Sequence, residues 1–246
     1  MDFKITKNDK LHVRKVKMNT DHVLNPDFCE PLDTFRNGFC ACINGPSGSG
    51  KTNLLVNLIS NKSKKNIPQS FRGCFDNIFV ISPSLHTLED NPFENLEHVY
   101  DELNEETIEK YYSMVEEKDD DEEEQNFFLL ILDDVADDIK DKQVYKKLLK
   151  LINKRRHLNT SIFMLSQNII QLSSAIRKNL SHIFTFKLKT IAEKEKVYEY
   201  TGKPKKYMDE FYNFIFDERH IFLLIDLSMK KSGNNRFYKG FDLIEF

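Results

Sequence analysis

One eight-residue stretch limits this chain more than any other: Gly45-Pro46-Ser47-Gly48-Ser49-Gly50-Lys51-Thr52, a complete GxxxxGK[ST] pattern. Three of the chain's eight glycines fall inside it. Bare backbone there can wrap closely round a phosphate and turn its N–H groups toward the anion. The flanks fit as well. FCACI precedes it as a short apolar, strand-like run, and Leu54, Leu55, Leu58 and Ile59 follow as an apolar stripe at helical spacing. An ordinary Gly/Ser turn before a helix is the bland alternative, and this full context argues against it. In such a strand–loop–helix unit, Gly45 through Gly50 cradle the phosphates and Lys51 sits at the β- and γ-phosphates. Thr52 offers its hydroxyl to Mg2+, with the positive end of the helix facing the anion.

That loop sets the fold expected around it. The apolar runs FCACI, NIFVIS, FFLLIL, SIFML and HIFTF, with HIFLLIDL later, alternate with polar or amphipathic segments. This is the texture of buried parallel strands joined by crossover helices. Residues 105–117 are expected to form a helix with Ile108, Tyr111, Tyr112 and Val115 inward, and Val144, Leu148, Leu149, Leu151 and Ile152 mark another. The prediction is an α/β fold of the P-loop NTPase class, with a central, mostly parallel sheet flanked by helices. At 246 residues and 40% hydrophobic content, the chain suffices for one substantial domain. Residues 1–37 mix lysines, Asn-Pro and Glu-Pro with short apolar alternation, and are expected to be an amino-terminal arm or added hairpin. Residues 38–246 then form the P-loop ATPase domain with a carboxyl-terminal strand extension.

A phosphate loop of this class needs an acid to hold the magnesium, placed at the carboxyl end of a parallel strand. NFFLLILDD supplies one. Asp133, directly after the apolar run, is the expected Walker B metal residue, and Asp134 is placed to orient or deprotonate the water attacking the γ-phosphate. The alternative is a strand that simply ends in an acidic turn, helped by nearby Asp137 and Asp138. One further strand, NIFVIS, lies in sequence between the loop and the acidic pair, which points to the additional-strand ATPase branch rather than to a small GTPase or nucleotide kinase. Guanine-recognition signals are missing: Asn153-Lys154 is followed by two arginines, and no DxxG follows Asp134.

Composition closes off other classes. Four cysteines, Cys29, Cys40, Cys42 and Cys74, show neither a CxxC pair nor a framework, which argues for reduced thiols in a cytosol-like compartment, with Cys40 and Cys42 on one strand face. None of the seven histidines belongs to an HExxH or Cys/His cluster, so any metal is expected to arrive with a substrate. The longest apolar stretches, 127–132 and 221–225, are far shorter than the roughly 20 residues that span a bilayer, so no membrane span is expected. The start, MDFKITKNDK, lacks the apolar core of a cleaved secretory signal. Net charge is −3, but residues 116–124 (EEKDDDEEE) alone carry −7, leaving +4 elsewhere. Basic stretches at 62–65, 146–156, 203–206 and 230–239 are compatible with a polyanion, although charge runs are usually solvated faces. The acidic run reads as a solvated loop.

The segment NKRRHLNTSIFMLSQN places cations before an apolar strand and an amide after it. At the strand's carboxyl end, Gln167 is delivered toward the γ-phosphate, where it can sense or position water, or serve as an ordinary strand-end hydrogen bonder. Arg155, Arg156 and His157 are expected at the opposite edge of the sheet, away from their own site. Either they make structural contacts, or one reaches a neighbouring subunit's nucleotide as an arginine finger, which requires a head-to-tail assembly.

Taken together, GPSGSGKT, FLLILDDV and RRHLNTSIFMLSQ resemble the genome-packaging ATPases of the poxvirus and nucleocytoplasmic large DNA virus type, also found in virophages, within the FtsK/HerA superfamily. The likeness runs through residues 39–186, with HIFLLIDL as a later family strand. It implies an ATP-driven motor, using ATP and Mg2+, that threads double-stranded DNA into a preformed shell. It further implies a homo-oligomeric ring, sequence-independent DNA contact, docking at a capsid or portal-like vertex, and work in the host cytoplasm at the viral factory or with the virion. It favours Arg156 as the arginine acting in trans, with Lys51, Thr52, Asp133, Asp134 and Gln167 matching the family motifs. The second acid is aspartate where many ATPases use glutamate. A nucleotide or nucleoside kinase, and an ATP-gated capsid-docking scaffold with little turnover, are the competing functions.

Overall fold

The computed structural model of the protein describes residues 23–60, 70–84, 93–116, 126–228 and 236–245. Residues 1–22 of the expected arm, the lysines at 62–65, the acidic residues 117–124 and the basic residues 230–235 lie outside the described residues. Within them nine strands form one sheet: β1 (Cys40–Asn44), β2 (Asn77–Ile81), β3 (His98–Tyr100), β4 (Phe128–Asp133), β5 (Thr160–Ser166), β6 (His182–Phe186), β7 (Phe222–Asp226), β8 (Arg236–Lys239) and β9 (Asp242–Ile244). Their spatial order is β3-β2-β4-β5-β1-β6-β7-β8-β9. Neighbours from β3 to β6 pair in parallel, and β7, β8 and β9 continue antiparallel. The sheet is therefore mostly parallel, as expected. The strand inserted in space between the P-loop strand β1 and the acidic strand β4 is β5, and NIFVIS, which precedes β4 in sequence, lies as β2 on its far side.

Every residue of β1, β4, β5, β6 and β7 is buried, which explains why these strands read as continuous apolar runs rather than alternating ones. Alternate side chains still separate into two cores. Cys40, Cys42, Leu130, Leu132, Ile162 and Met164 face the layer made by α2 (Glu105–Glu116), α3 (Lys142–Lys154), α5 (Ile191–Tyr198) and α6 (Met208–Ile215). Ala41, Ile43, Leu129, Ile131, Phe163 and Leu165 face α1 (Lys51–Ser60) and the segment before β1. The predicted stripes are the ones buried: Leu55 and Leu58 of α1, Ile108, Tyr111 and Val115 of α2, Val144, Leu148, Leu151 and Ile152 of α3. Asp141 caps α3 by accepting from Gln143 N and Val144 N, and α4 (Ser174–Arg177) is a single turn capped by Ser173. All four cysteines are free.

Without tryptophan, the second core is built on phenylalanine. Phe39 and Phe163 meet edge-on with centroids 5.0 Å apart, and Phe35 stacks on His182 at 3.6 Å. Phe28, Leu32 and Phe35 are buried, so residues 28–35 pack against the sheet, and Val23 bridges to Arg36 just before β1. At the amino edge the two adjacent arginines part company. Arg155 is buried and donates through Nε to Gly38 O (2.8 Å), through Nη1 to Ile152 O (2.7 Å) and Asn179 Oδ1 (3.2 Å), and through Nη2 to Asn179 O (3.1 Å). It binds the entry of β1, the end of α3 and the entry of β6 into one unit. Gly38, at φ +74°, lets the neighbouring Arg156 pack close as well, since a Cβ there would stand 2.8 Å from Arg156 Cγ and 2.9 Å from its Cα.

Arg155→Ala strips a fork of donors from carbonyls that stay buried, and is expected to cost about 2–4 kcal/mol in chemical denaturation. Arg155→Lys should recover only part of it, because an ammonium cannot reproduce the planar fork. A loss under about 1 kcal/mol for the alanine variant would show the clamp to be dispensable.

Candidate active site

Strand register decides which side chains meet. Asn44 of β1 lies beside Ser166 of β5, and Leu165 lies beside Asp133 of β4. The residues just beyond, Gly45, Gln167 and Asp134, therefore emerge together at the carboxyl edge of the parallel strands, where ligands gather in open α/β sheets. The ladder reaches into the loops: Gly45 N donates to Ser166 O (3.1 Å) and Asp134 N to Leu165 O (3.4 Å). Between them opens a cleft of about 390 Å3, with Ser47, Gly48, Gly50, Lys51 and Thr52 along one wall and Ser84, Asp133, Asp134 and Gln167 along the other.

The glycines of the loop answer to different constraints. Gly48 and Gly50 have φ of +73° and +105°. Gly45 is a matter of space, because a Cβ there would stand 2.8 Å from Ser49 Oγ and 2.9 Å from Phe186 Cβ. Lys51 Nζ donates back to its own loop, to Gly45 O (2.8 Å) and Pro46 O (3.2 Å). Burial pushes the Lys51 ammonium below its ordinary value, while the Asp133 and Asp134 carboxylates pull it the other way.

Asp133 closes β4 and is buried. Burial pushes its carboxyl above the usual range and Asp134 adds to the push, against a hydrogen bond from Ser82 and the charge of Lys51. Ser82 Oγ donates to Asp133 Oδ2 at 3.0 Å and lies 3.2 Å from Ser84 Oγ. Asp134 adopts φ +55°, a left-handed conformation that aspartate tolerates better than most residues. Its carboxylate accepts from Gln167 Nε2 at both oxygens, 3.3 Å and 3.1 Å.

Among the described residues no three His, Cys, Asp or Glu side chains converge as a metal cage. The site nonetheless fits magnesium. Its donors are oxygens, a buried carboxylate with the Thr52 hydroxyl on the facing wall, and magnesium characteristically takes one or two protein carboxylates with waters and substrate phosphates.

Lys51, Thr52, Asp133, Asp134 and Gln167 thus share one cleft, and Arg156 does not. It is exposed at the amino edge, beside a small polar pocket with Thr34, Asn37, Ser181 and His182. The seven residues of β5 separate it from Gln167 by roughly 20 Å. Residues the sequence did not single out also serve the cleft. Ser82, which donates to the buried Asp133, stood in view as the hydroxyl ending NIFVIS. Nothing local marked Phe186.

The family described as Poxvirus A32 protein matches residues 33–201. No curated protein sequence matches the chain. Among solved structures, it is similar to the DNA-packaging ATPase B204 from Sulfolobus turreted icosahedral virus, at 15% identity over 82% of this chain and 97% of that one, TM-score 0.54. The genome packaging NTPase B204 from Sulfolobus turreted icosahedral virus 2, in complex with ATP-gammaS, is similar at 14% identity over 83% and 99%, TM-score 0.51. EssC (ATPases 2 and 3) from Geobacillus thermodenitrificans is similar at 16% identity over 85% of this chain and 40% of that one, TM-score 0.56. At such identities the shared property is the fold.

The Asp133 carboxyl is raised in the folded chain relative to the unfolded one, so between those two values the folded state holds more protons. Stability then falls as pH rises through that window, and the cost persists at neutral pH. Asp133→Asn is expected to stabilise the nucleotide-free protein at neutral pH by roughly 0.5–2 kcal/mol, with the gain shrinking toward the ordinary carboxylate range. Thermal unfolding across pH checks this, and a destabilised asparagine variant at neutral pH would contradict it.

Proposed function

The chain belongs to the poxvirus A32 protein family, and on that premise we propose that it is an ATP-driven motor that moves double-stranded DNA into a preformed viral capsid. The observation that carries this is the convergence of Lys51, Asp133, Asp134 and Gln167 on one cleft, with β5 set between β1 and β4. An acid strand separated from the P-loop strand in this way supports the additional-strand ATPase over a nucleotide kinase. No helix among the described residues is long and apolar enough to cross a membrane. We assign the work to the host cytoplasm, at the viral factory.

In the proposed reaction, backbone N–H groups from Gly48 to Thr52 hold the phosphates, and Lys51 exchanges the Gly45 and Pro46 carbonyls for β- and γ-oxygens. Asp133 and Thr52 would hold Mg2+, which draws charge from the phosphates as it develops. Asp134 accepts a proton from the attacking water as the bond between the γ-phosphorus and the bridging oxygen breaks and ADP leaves. Gln167 now fixes the Asp134 carboxylate, and with water present the same amide is placed to orient that water. Arg156, at the far edge of the sheet, can meet a nucleotide only on a neighbouring copy. This supports a head-to-tail ring.

The DNA partner has support in the charge of α3. Its sequence, KQVYKKLLKLINK, contains no acid. Lys147 pairs with Glu105 and Glu109 of α2, whereas Lys142, Lys146, Lys150 and Lys154 are exposed and form no ion pair among the described residues. These four recur every fourth residue, about 6 Å apart along the helix. A row of point charges suits a phosphate backbone and carries no base preference, as a packaging motor requires.

Phosphate release by the full chain is expected to rise on adding duplex DNA and to vanish in Lys51→Ala. Transfer of phosphate to a nucleoside would favour a kinase, and ATP-dependent capsid binding without turnover a scaffold. Lys146→Glu with Lys150→Glu should weaken DNA binding and flatten its salt dependence by about 0.9 for each DNA phosphate that the helix ceases to neutralise, leaving basal hydrolysis intact. Unchanged DNA affinity would remove α3 from the interface. Mixing Arg156→Ala subunits with Asp134→Ala subunits should restore hydrolysis that neither shows alone, and no recovery at any ratio would count against a trans arginine.

A further inference from the structure

His220 stands between α6 and β7, against the phosphate loop, and the chemistry above makes no use of it. Its Nδ1 lies 3.1 Å from Ser49 O. A carbonyl oxygen only accepts, so Nδ1 carries the proton and donates. The same nitrogen lies 3.7 Å from the point a Cβ on Gly50 would occupy. His220 makes this contact from φ +64°, a left-handed conformation that histidine, like asparagine and aspartate, adopts more readily than most residues. Its surroundings hold the loop that carries it.

Those surroundings are the antiparallel extension. Lys239 of β8 donates through Nζ to Asp217 Oδ2 (2.6 Å) and Phe214 O (3.0 Å), fixing the start of the loop. Gly240 N donates to Phe222 O (2.7 Å), fixing its end. Phe222 meets Phe186 edge-on with centroids 6.0 Å apart, and Phe186 is the ring packed closest to the position of Gly45. Two contacts therefore press on the phosphate loop, the Phe186 ring of β6, backed by Phe222, against its glycines, and the His220 imidazole against its backbone.

We infer that His220 is a positioning residue for the nucleotide phosphates: by holding the Ser49 carbonyl it fixes the Ser49–Gly50 peptide plane with the Gly50 N–H turned toward the cleft. In a planar trans peptide the C=O and the N–H point in opposite directions, so a donor that captures one sets the other. Gly50 has the greatest freedom to rotate that plane, since it has no Cβ and an unusual φ. An amide fixed in advance need not be ordered when the anion arrives, and that is a gain in affinity. The role presupposes that the cleft takes ATP.

Two substitutions separate the donor from the backbone conformation. His220→Gly suits the positive φ and removes the donor, while His220→Asn also tolerates the left-handed backbone and keeps an N–H near the place of Nδ1. Affinity of the full chain for a nonhydrolysable ATP analogue with Mg2+, KM and kcat for ATP, and the thermal midpoint should be read together. Expected are about a tenfold weaker affinity and higher KM for the glycine variant, with kcat within about twofold and the midpoint retained, and a return to within about threefold of the original affinity for the asparagine variant. Undiminished affinity in the glycine variant, an asparagine variant as weak as the glycine one, or a midpoint that falls in step with affinity would each overturn the inference. If the unaltered chain binds the analogue and Lys51→Ala does not, an unchanged affinity at His220 leaves the ATP site standing; if the unaltered chain fails to bind, both fall.

Discussion

A cradle of bare amides binds phosphate only if the peptide planes that carry them cannot turn away, and much of this structure keeps them still. β1 has a parallel partner on each edge, so both rows of its backbone groups are committed before the loop begins. The β5 ladder then takes Gly45 N, and Phe186 fills the space that a side chain at Gly45 would need. α1 begins at Lys51 itself, so the loop has a fixed end as well as a fixed start. Glycine supplies the required conformations, and packing removes the freedom that glycine would otherwise leave.

The same cleft holds groups that folding alone would not favour. Asp133 is buried and its charged form is penalised, Lys51 is likewise disfavoured as an ammonium, and Asp134 occupies a left-handed conformation. The two charge penalties are local costs that a bound triphosphate with its cation would offset, as in a site organised for a ligand. Gln167 steadies the second acid: its amide reaches both oxygens of Asp134, which keep further lone pairs for a water.

Most of the fold was legible in the sequence because its signals are local. Buried strands on a two-sided sheet read as apolar runs, helices as stripes, and a phosphate loop as glycines at fixed spacing between the two. Asp133 was legible because one ladder carries it to the same edge. What escaped depends on pairing, which no single segment encodes. NIFVIS and SIFML are alike in composition, and only the register shows that the second, as β5, is inserted beside β1. Arg155 and Arg156 are neighbours of one type, yet the first is buried in a fork of carbonyls from Gly38, Ile152 and Asn179 while the second stays exposed. His220 lies 171 residues from the carbonyl it holds and is exposed, so neither periodicity nor burial could point to it.

The sheet thus separates a cleft lined by Lys51, Thr52, Asp133, Asp134 and Gln167 at its carboxyl edge from an exposed arginine at its amino edge, and the account depends first on the cleft. A structure of the chain bound to a nonhydrolysable ATP analogue and Mg2+ tests that most directly. Lys51 Nζ should leave the Gly45 and Pro46 carbonyls for the phosphates, with the cation between Thr52, Asp133 and the phosphate oxygens. A nucleotide seated elsewhere, or a Lys51 still folded back on its own loop, would contradict it.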